Sequence, residues 1–436
     1  MNVGFAMGQD IDPDGKEIRK TGLTFVPLPI FSYDADMGFQ FGALTNLYYW
    51  GDGSTYPAYR HSLYAEASWY TKGTSVYQLF YDSKYLLPWN IRITADFSYI
   101  TEKALNFYGF NGYQAAYHHD FEDDESDAYV SRVFYRMERK MFRSMIDLQG
   151  DLLGSDFRWL AGVTYFNHKT GTVDIDKINE GKKEENQLPD TTLLYDYYVR
   201  WGLIDAQEGD GGGTLFLKLG LIYDSRDNEP APNRGIWSEL LWLTGPNWSG
   251  NRATVLNKLV VTHRQYIPLI NKKLILAYRA SLQTFIGEKA PYYLLPYQYS
   301  SFTRSNKPDG LGGARTLRGV LRNRIVGDGM ALGNIELRWK FFRTVFLKQN
   351  FYFALYGFAD AGRVVVEREV DGSLVPEEAL KSGSLFDQDH DSLHGSIGLG
   401  LRIGLNENFL ILFDYGHTLD RRDGISGFYL GVGNNF

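Results

Sequence analysis

The chain contains no cysteine, which excludes disulfides, zinc–thiolate centres and iron–sulfur clusters. It has no stretch of roughly 18 uncharged apolar residues, so it does not cross a membrane as a helix. Positive charge is not in excess, because 45 Lys and Arg stand against 52 Asp and Glu for a formal net charge of -7. A nucleic-acid interface needs a basic footprint, and that class drops out. Proline is sparse at 14 residues, and no internal repeat of about 20–50 residues suggests a propeller.

Aromatic residues are abundant: 28 Phe, 31 Tyr and 9 Trp make up 16% of the chain, beside 46 Gly. Hydrophobic residues reach 44%, yet the mean hydropathy of -0.31 and 22% charge resemble a soluble protein. A length of 436 residues would ordinarily suggest two or three domains of roughly 150 residues. The composition points instead to an all-β protein, either a large soluble sheet assembly or a membrane barrel.

Periodicity separates the two. Ile91, Ile93, Ala95, Phe97 and Tyr99 alternate with Arg92, Thr94, Asp96 and Ser98, the mark of a strand with two unlike faces. Leu63, Ala65, Ala67 and Trp69 oppose Ser62, Tyr64, Glu66 and Ser68 in the same way. Such segments run to roughly 10–15 residues, against five or six for an ordinary strand. Aromatics gather near segment ends, as at Tyr48–Trp50 and Trp339–Phe342, where a barrel places its interface girdles.

The pattern predicts sixteen strands: Met37–Trp50, Tyr59–Thr71, Thr74–Leu86, Asn90–Thr101, Asp127–Lys140, Phe142–Leu153, Phe157–Lys169, Thr214–Asp224, Ile236–Leu243, Ala253–Ile267, Lys273–Ile286, Gly329–Phe342, Asn350–Glu367, Ser392–Leu405, Asn408–Thr418 and Ile425–Phe436. The long connections Thr170–Gly213, Gly287–Asp328 and Arg368–Asp391 follow odd-numbered strands, and tight ones such as Lys72–Gly73 follow even-numbered strands. Long external loops opposite short periplasmic turns are expected of an outer-membrane barrel. Glu102–Ser126 falls on the short side and breaks the rule. Residues 1–36 then form a short N-terminal segment, periplasmic or lumenal, and residues 37–436 the transmembrane barrel. Met1–Asp10 has neither a basic n-region nor an apolar h-region, so the chain reads as the mature form of an exported protein.

Several motifs narrow the reading. Phe428, Leu430 and Val432 alternate ahead of the terminal Phe436, with Gly427 and Gly431 between them; an aromatic ending an alternating strand resembles the assembly signal of bacterial barrels. Tyr223-Asp224-Ser225-Arg226-Asp227-Asn228 is followed by Pro232 and Gly235 between the eighth and ninth strands. Gly312-Gly313 precedes Leu317-Arg318-Gly319-Val320 in the sixth long-side connection, and Phe358-Ala359-Asp360-Ala361-Gly362 lies on the thirteenth strand. Asn334-Ile335-Glu336-Leu337-Arg338 and Phe107-Tyr108-Gly109-Phe110 complete the set. In their order and placement these stretches resemble the BamA-type insertase superfamily, the bacterial surface antigen barrels, over residues 37–436. Val320 and Asn434 depart from its usual aromatics. The resemblance implies a 16-stranded antiparallel barrel whose sixth extracellular loop folds inward and is locked by its Arg-Gly motif. It also implies a role in inserting or translocating protein or lipid. The family's insertases carry periplasmic POTRA domains, and about 36 residues are too few for one.

The residues support the lock without the family. An Arg fork satisfies carboxylates by paired, charge-assisted hydrogen bonds, so Arg318 in its Gly-rich loop is expected to pair with Glu336, Asp360 or both. Asp224 and Asp227 are expected to cap a turn, with Arg226 tying it down. Two runs mix imidazoles and carboxylates: His118, His119, Asp120 and Glu122–Glu125, and Asp387, Asp389, His390, Asp391 and His394. Neither has an EF-hand or HExxH spacing, so both read as solvated loops and no metal or other cofactor is expected. His394-Gly395-Ser396-Ile397-Gly398 lacks the leading Gly of a nucleophile elbow, so no catalytic activity is expected.

Two functions fit a barrel. An insertase or translocation component would open between weakly paired end strands, expected as Met37–Trp50 and Ile425–Phe436; the interior glycines of the latter either weaken it or relieve barrel curvature. The alternative is a passive small-solute channel, or a structural subunit of a larger outer-membrane complex. Expected partners are lipopolysaccharide and phospholipid, with other assembly proteins or client barrels; nucleic acid is not among them.

Overall fold

The computed structural model describes residues 20–55, 59–246, 255–301, 309–346, 349–387, 390–405 and 409–433. Sixteen strands close into one barrel in which neighbours in sequence are neighbours in space, and every pairing is antiparallel. They are β1 (Leu23–Asp34), β2 (Gly38–Tyr49), β3 (His61–Tyr70), β4 (Thr74–Ser83), β5 (Arg92–Asn106), β6 (Arg136–Leu153), β7 (Phe157–Gly171), β8 (Gly211–Asp224), β9 (Gly235–Gly245), β10 (Leu256–Ile270), β11 (Leu274–Gly287), β12 (Gly329–Phe346), β13 (Gln349–Val366), β14 (His394–Leu405), β15 (Phe409–Thr418) and β16 (Ser426–Val432). Among the described residues three short α-helices, Ile175–Asn179, Leu194–Arg200 and Glu377–Lys381, lie in the connections. No described helix is long and apolar enough to cross a membrane.

The alternation resolves into an inverted protein. On β5 it is Arg92, Thr94, Asp96 and Ser98 that are buried, while Phe97 and Tyr99 are exposed. Leu219 and Leu399 are 63% and 71% exposed, whereas Arg143, Asp147, Lys218 and Glu336 are essentially inaccessible. An apolar exterior around a polar interior is the arrangement a bilayer demands of a closed sheet, in which every backbone group pairs within the wall. A large aromatic core sits outside this wall pattern: Phe107, Tyr108, Phe110, Tyr135, Tyr198, Tyr292 and Tyr297 pack together from the long connections and the strand ends beside them.

The strand count of sixteen holds, but two expected boundaries do not. Leu23–Asp34, assigned to the N-terminal segment, is β1, so the barrel begins at Leu23 and not at Met37. Pro27 and Pro29 disguise it, since proline is confined to the edges of sheets and reads as a strand breaker. The expected strands Asp127–Lys140 and Phe142–Leu153 are in turn one strand, β6. Met137, Arg139, Met141, Arg143 and Met145 bury in unbroken alternation across the supposed gap. The two corrections cancel from β6 onward and move the earlier connections to opposite ends. The connection after β5, out of place before, now joins those after β7, β11 and β13 at the long-loop end. The tight Lys72–Gly73 turn, expected at the short end, follows β3 and lies at the long-loop end. The closing pair is therefore β1 with β16, not the expected Met37–Trp50 with Ile425–Phe436. Residues 1–19, Asp389, Asn434 and the terminal Phe436 lie outside the described residues.

Candidate functional site

Arg318 stands in the connection between β11 and β12 and is 2% exposed. β12 and β13 lie side by side in register, Asn334 opposite Asp360 and Glu336 opposite Phe358, which brings two carboxylates from the polar face to one place. Arg318 donates to Asp360 from its backbone N–H (3.1 Å), Nε (2.8 Å) and Nη2 (2.8 Å). Its Nη1 donates to Glu336 Oε1 at 2.7 Å. The guanidinium lies 3.5 Å from the centre of the Phe358 ring, where the π face supplements the carboxylates. Asn334 Nδ2 completes the network by donating to Asp360 Oδ1 and to the Thr316 carbonyl, both at 2.7 Å. Arg338 Nε donates to the other oxygen of Glu336 at 2.6 Å. Burying this much charge is tolerated because each carboxylate oxygen has a donor.

Two glycines allow the approach. Gly319 has φ +96°, and a Cβ there would stand 2.6 Å from the Gly416 carbonyl carbon on β15. The loop backbone thus lies against the β15 backbone, and Gly319 N–H donates to the Tyr429 hydroxyl of β16 at 3.1 Å. Gly362 leaves room for Leu311 and Leu317, whose methyls would come within about 3 Å of a side chain at that position. Leu317 and Val320 bury with Leu311, Ile325, Met330, Leu332 and Val364; Val320 fills that cluster without an aromatic ring.

The same connection reaches other strands through residues that the sequence reading did not single out. Arg322 Nη2 donates to Glu102 of β5 at 2.6 Å, and Arg322 N–H to Asp36 in the β1–β2 turn at 3.1 Å. Arg324 donates to the carbonyls of Gly112, Ala115 and Arg422, each at 2.9 Å. Tyr297 accepts from Arg143 of β6, and Glu239 of β9 accepts from Ser301 N–H, both at 2.7 Å. Three arginines at 318, 322 and 324 within one Gly-rich loop were the available clue. Burial pushes the Asp36 carboxyl up to about 7, helped by the charge of Asp34 and only partly offset by Arg322.

The β8–β9 turn is tied by its acids. Asp224 accepts both Nε and Nη2 of Arg226 at 2.8 Å, and Arg158 adds a third contact at 3.0 Å. Asp227 accepts from the N–H of Asn233 and of Arg234. Gly235 has φ +108°, and a side chain there would meet the Ser225 carbonyl oxygen at 2.4 Å. Trp237 lies between the guanidiniums of Arg226 and Arg264, 4.1 and 3.8 Å from its ring centre.

The seam meets the loop at Tyr429, which accepts from Gly319 N–H and lies opposite Asp34. Among the described residues β1 and β16 pair as Tyr33 with Leu430 and Asp34 with Tyr429, whereas the next shortest ladder, β15 with β16, has seven pairs. Phe428 rests against Tyr33 with ring centres 6.1 Å apart, Val432 faces outward, and a Cβ added at Gly431 would meet nothing within 4 Å. Gly427 sits beside the Tyr429 hydroxyl.

The two His-acid runs diverge. His118 contacts the Gly383 carbonyl of another loop, and Glu122 pairs with Arg136 at the start of β6 at 3.0 Å. His394 instead is fully buried between Asp391 (2.9 Å) and Asp423 (2.7 Å) and stacks on Tyr113. Burial pushes the Asp391 carboxyl up, but hydrogen bonds from His394 and from the N–H groups of Tyr113 and Val364 outweigh it and hold the carboxyl below its ordinary range. Among the described residues no group of three acidic or imidazole side chains is arranged to hold a metal ion.

The Omp85 superfamily domain matches residues 164–436. Among solved structures the chain is similar to BamA from Haemophilus ducreyi lacking POTRA domains 1–3, at 14% identity and a TM-score of 0.52, over 96% of this chain and 71% of that one. CdiB from Acinetobacter baumannii is similar at 12% identity and a TM-score of 0.46, over 96% and 61% of the two chains. No curated protein matches in sequence. At these identities the structural likeness to BamA speaks for the barrel fold alone, and the looser likeness to CdiB adds nothing to it. The family match, covering more than half the chain, and the closed barrel around a polar interior together place this protein in the Omp85 superfamily, as a β-barrel of the bacterial outer membrane.

Proposed function

We propose that the chain acts in outer-membrane assembly, inserting or translocating a protein or lipid client through an opening between β1 and β16. The observation that carries this reading is the seam, two pairs long among the described residues. In lipid, a backbone group without a partner costs several kcal/mol, so each missing pair lowers the cost of parting these two strands relative to any other two. The 288–328 connection is read as folded into the lumen and held there by Arg318. It touches β5, β6, β9, β12, β13, β15 and β16, and so ties the wall together on either side of the seam. Lipopolysaccharide and phospholipid are the surrounding partners, and other assembly proteins or client barrels are the macromolecular ones. No chemical step is assigned to any side chain.

A lumen occupied by that connection favours a gate over a wide passive pore. Depletion of the protein in its native host tests this: specific outer-membrane proteins or lipids are expected to fall while small-solute uptake is unchanged. Unchanged membrane composition, with large stable conductances of the purified barrel in planar bilayers, would replace the proposal with a channel.

A further inference from the structure

The outer surface of β5, β6 and β7 changes character at the long-loop end. Arg139, Met141, Arg143 and Met145 of β6 are buried, so Lys140, Phe142 and Ile146 turn away from the lumen. Phe166 and His168 of β7 are buried, so Tyr165, Asn167 and Lys169 turn outward too. The register stacks these residues in rows. Tyr99, Phe142 and Asn167 lie side by side, and Thr101, Lys140 and Lys169 form the row above them. Lys103, two residues beyond Thr101 at the β5 bulge, is exposed and stands diagonal to Lys140. From Phe142 down to the exposed Leu152 the tilted strand rises about 25 Å, the height of the apolar band of such barrels. The lysines therefore sit just above the hydrocarbon, at the level of the outer headgroups.

Like charges directly opposite one another destabilise a ladder. Lys140 and Lys169 are such a pair, in a chain whose net charge is -7. Glu138 pairs with Lys140 at 2.7 Å, and Asp174 also lies near it. Among the described residues Lys103 and Lys169 have no carboxylate partner. By contrast, the same end of the wall exposes Ile286 of β11, Val365 of β13 and Leu419 after β15. The exposed Arg363 of β13 gives its donors to the carbonyls of Val364 and Asp391.

We propose that Lys103, Lys140 and Lys169 form a site for the phosphate groups of lipopolysaccharide, whose acyl chains lie along Tyr99, Phe142 and Ile146 below. A phosphate carries about -1.5 to -2 charges at neutral pH and so neutralises the opposed pair. Asn167 and Tyr165, joined by a hydrogen bond of 3.4 Å, place an amide and a hydroxyl one and two rows below the lysines, beside the lipid's sugar and ester oxygens. The site gives the lipid partner of the proposed function a place on the wall. It rests on the outer-membrane placement and not on the opening between β1 and β16.

The test titrates the full chain, purified in neutral detergent, with three probes: deep-rough lipopolysaccharide, the same lipid stripped of its phosphates, and inorganic phosphate. Each of Lys103→Gln, Lys140→Gln and Lys169→Gln is expected to weaken binding of the intact lipid about fivefold, the effect of one lysine at an anionic lipid surface. The triple variant should bind it about as weakly as the parent binds the stripped lipid. Lys84→Gln, in the β4–β5 turn at the opposite end of the wall, should bind as the parent does. Lys169→Gln should not lower the thermal transition in detergent alone, where it removes a repulsion, but should melt below the parent in lipopolysaccharide. Parent-like affinity of the triple variant, or equal affinity for the stripped lipid, overturns the site. An equal loss in Lys84→Gln reduces the effect to net charge and overturns it as well. Displacement of the lipid by millimolar inorganic phosphate overturns the lipid assignment in favour of a free anion. None of these outcomes bears on the seam, which the depletion experiment reads separately.

Discussion

Asp360 receives three hydrogen bonds from Arg318 alone, two from the guanidinium and one from the backbone N–H of the same residue. A fork that also pins its own main chain fixes the path of the loop as well as the position of a charge. Gly319 follows at once, with its backbone against Gly416, so one dipeptide joins the β11–β12 connection to β13 and to β15.

Arg318→Ala is expected to leave two buried carboxylates without their shared donor, at a cost of about 3–5 kcal/mol. The heat-modifiable electrophoretic transition of the barrel should fall to lower temperature, and the 288–328 connection should become open to protease. Arg318→Lys keeps the charge but not the fork, so it is expected to fall between the two.

Gly319→Ala places a Cβ at 2.6 Å from backbone at a positive φ and is expected to loosen the loop although Arg318 is intact. Gly431→Ala is the control, since a Cβ there meets nothing within 4 Å. Its thermal transition should match the parent's or rise slightly.

How far these residues were legible depends on how local their partners are. Arg318, Glu336 and Asp360 could be named in advance because an arginine among glycines and carboxylates on strand faces are visible one residue at a time. The expected pairing left open which carboxylate it would be, and the structure shows both. β1 was hidden by Pro27 and Pro29, whose missing donors matter only on the side without a ladder. That one omission also sent the β5–β6 connection to the wrong end. Of the His394, Tyr113, Asp391 and Asp423 cluster, Asp391 and His394 stood out as part of one run but were read as solvated, and they are buried; Tyr113 and Asp423 join them from two other connections, which no spacing in the chain announces.

Asp36 gives the seam end a pH dependence. Its folded-state carboxyl titrates at about 7, above the ordinary 3.8, so the folded protein holds this proton more tightly than the unfolded chain. Stability is therefore full below about pH 4 for this group and is lost as pH rises toward 7 and beyond. The thermal transition is expected to drop between pH 5 and pH 8, and Asp36→Asn, which cannot ionise, should flatten that part of the profile.

Trp237→Ala removes the ring between Arg226 and Arg264. The loss of two desolvated cation–π contacts and of the buried area is expected to cost about 2–4 kcal/mol. Chemical denaturation in detergent should show it, with the loop around Arg318 still protected.

The opening of the wall between β1 and β16 is tested most directly by locking it. Tyr33→Cys with Leu430→Cys places a disulfide across the described seam pair that faces the lipid. In a chain with no other cysteine the oxidised form carries that bond alone. With the seam closed, client insertion by proteoliposomes of the protein should stop, and a reductant should restore it. Equal insertion by the oxidised and reduced forms would contradict the account.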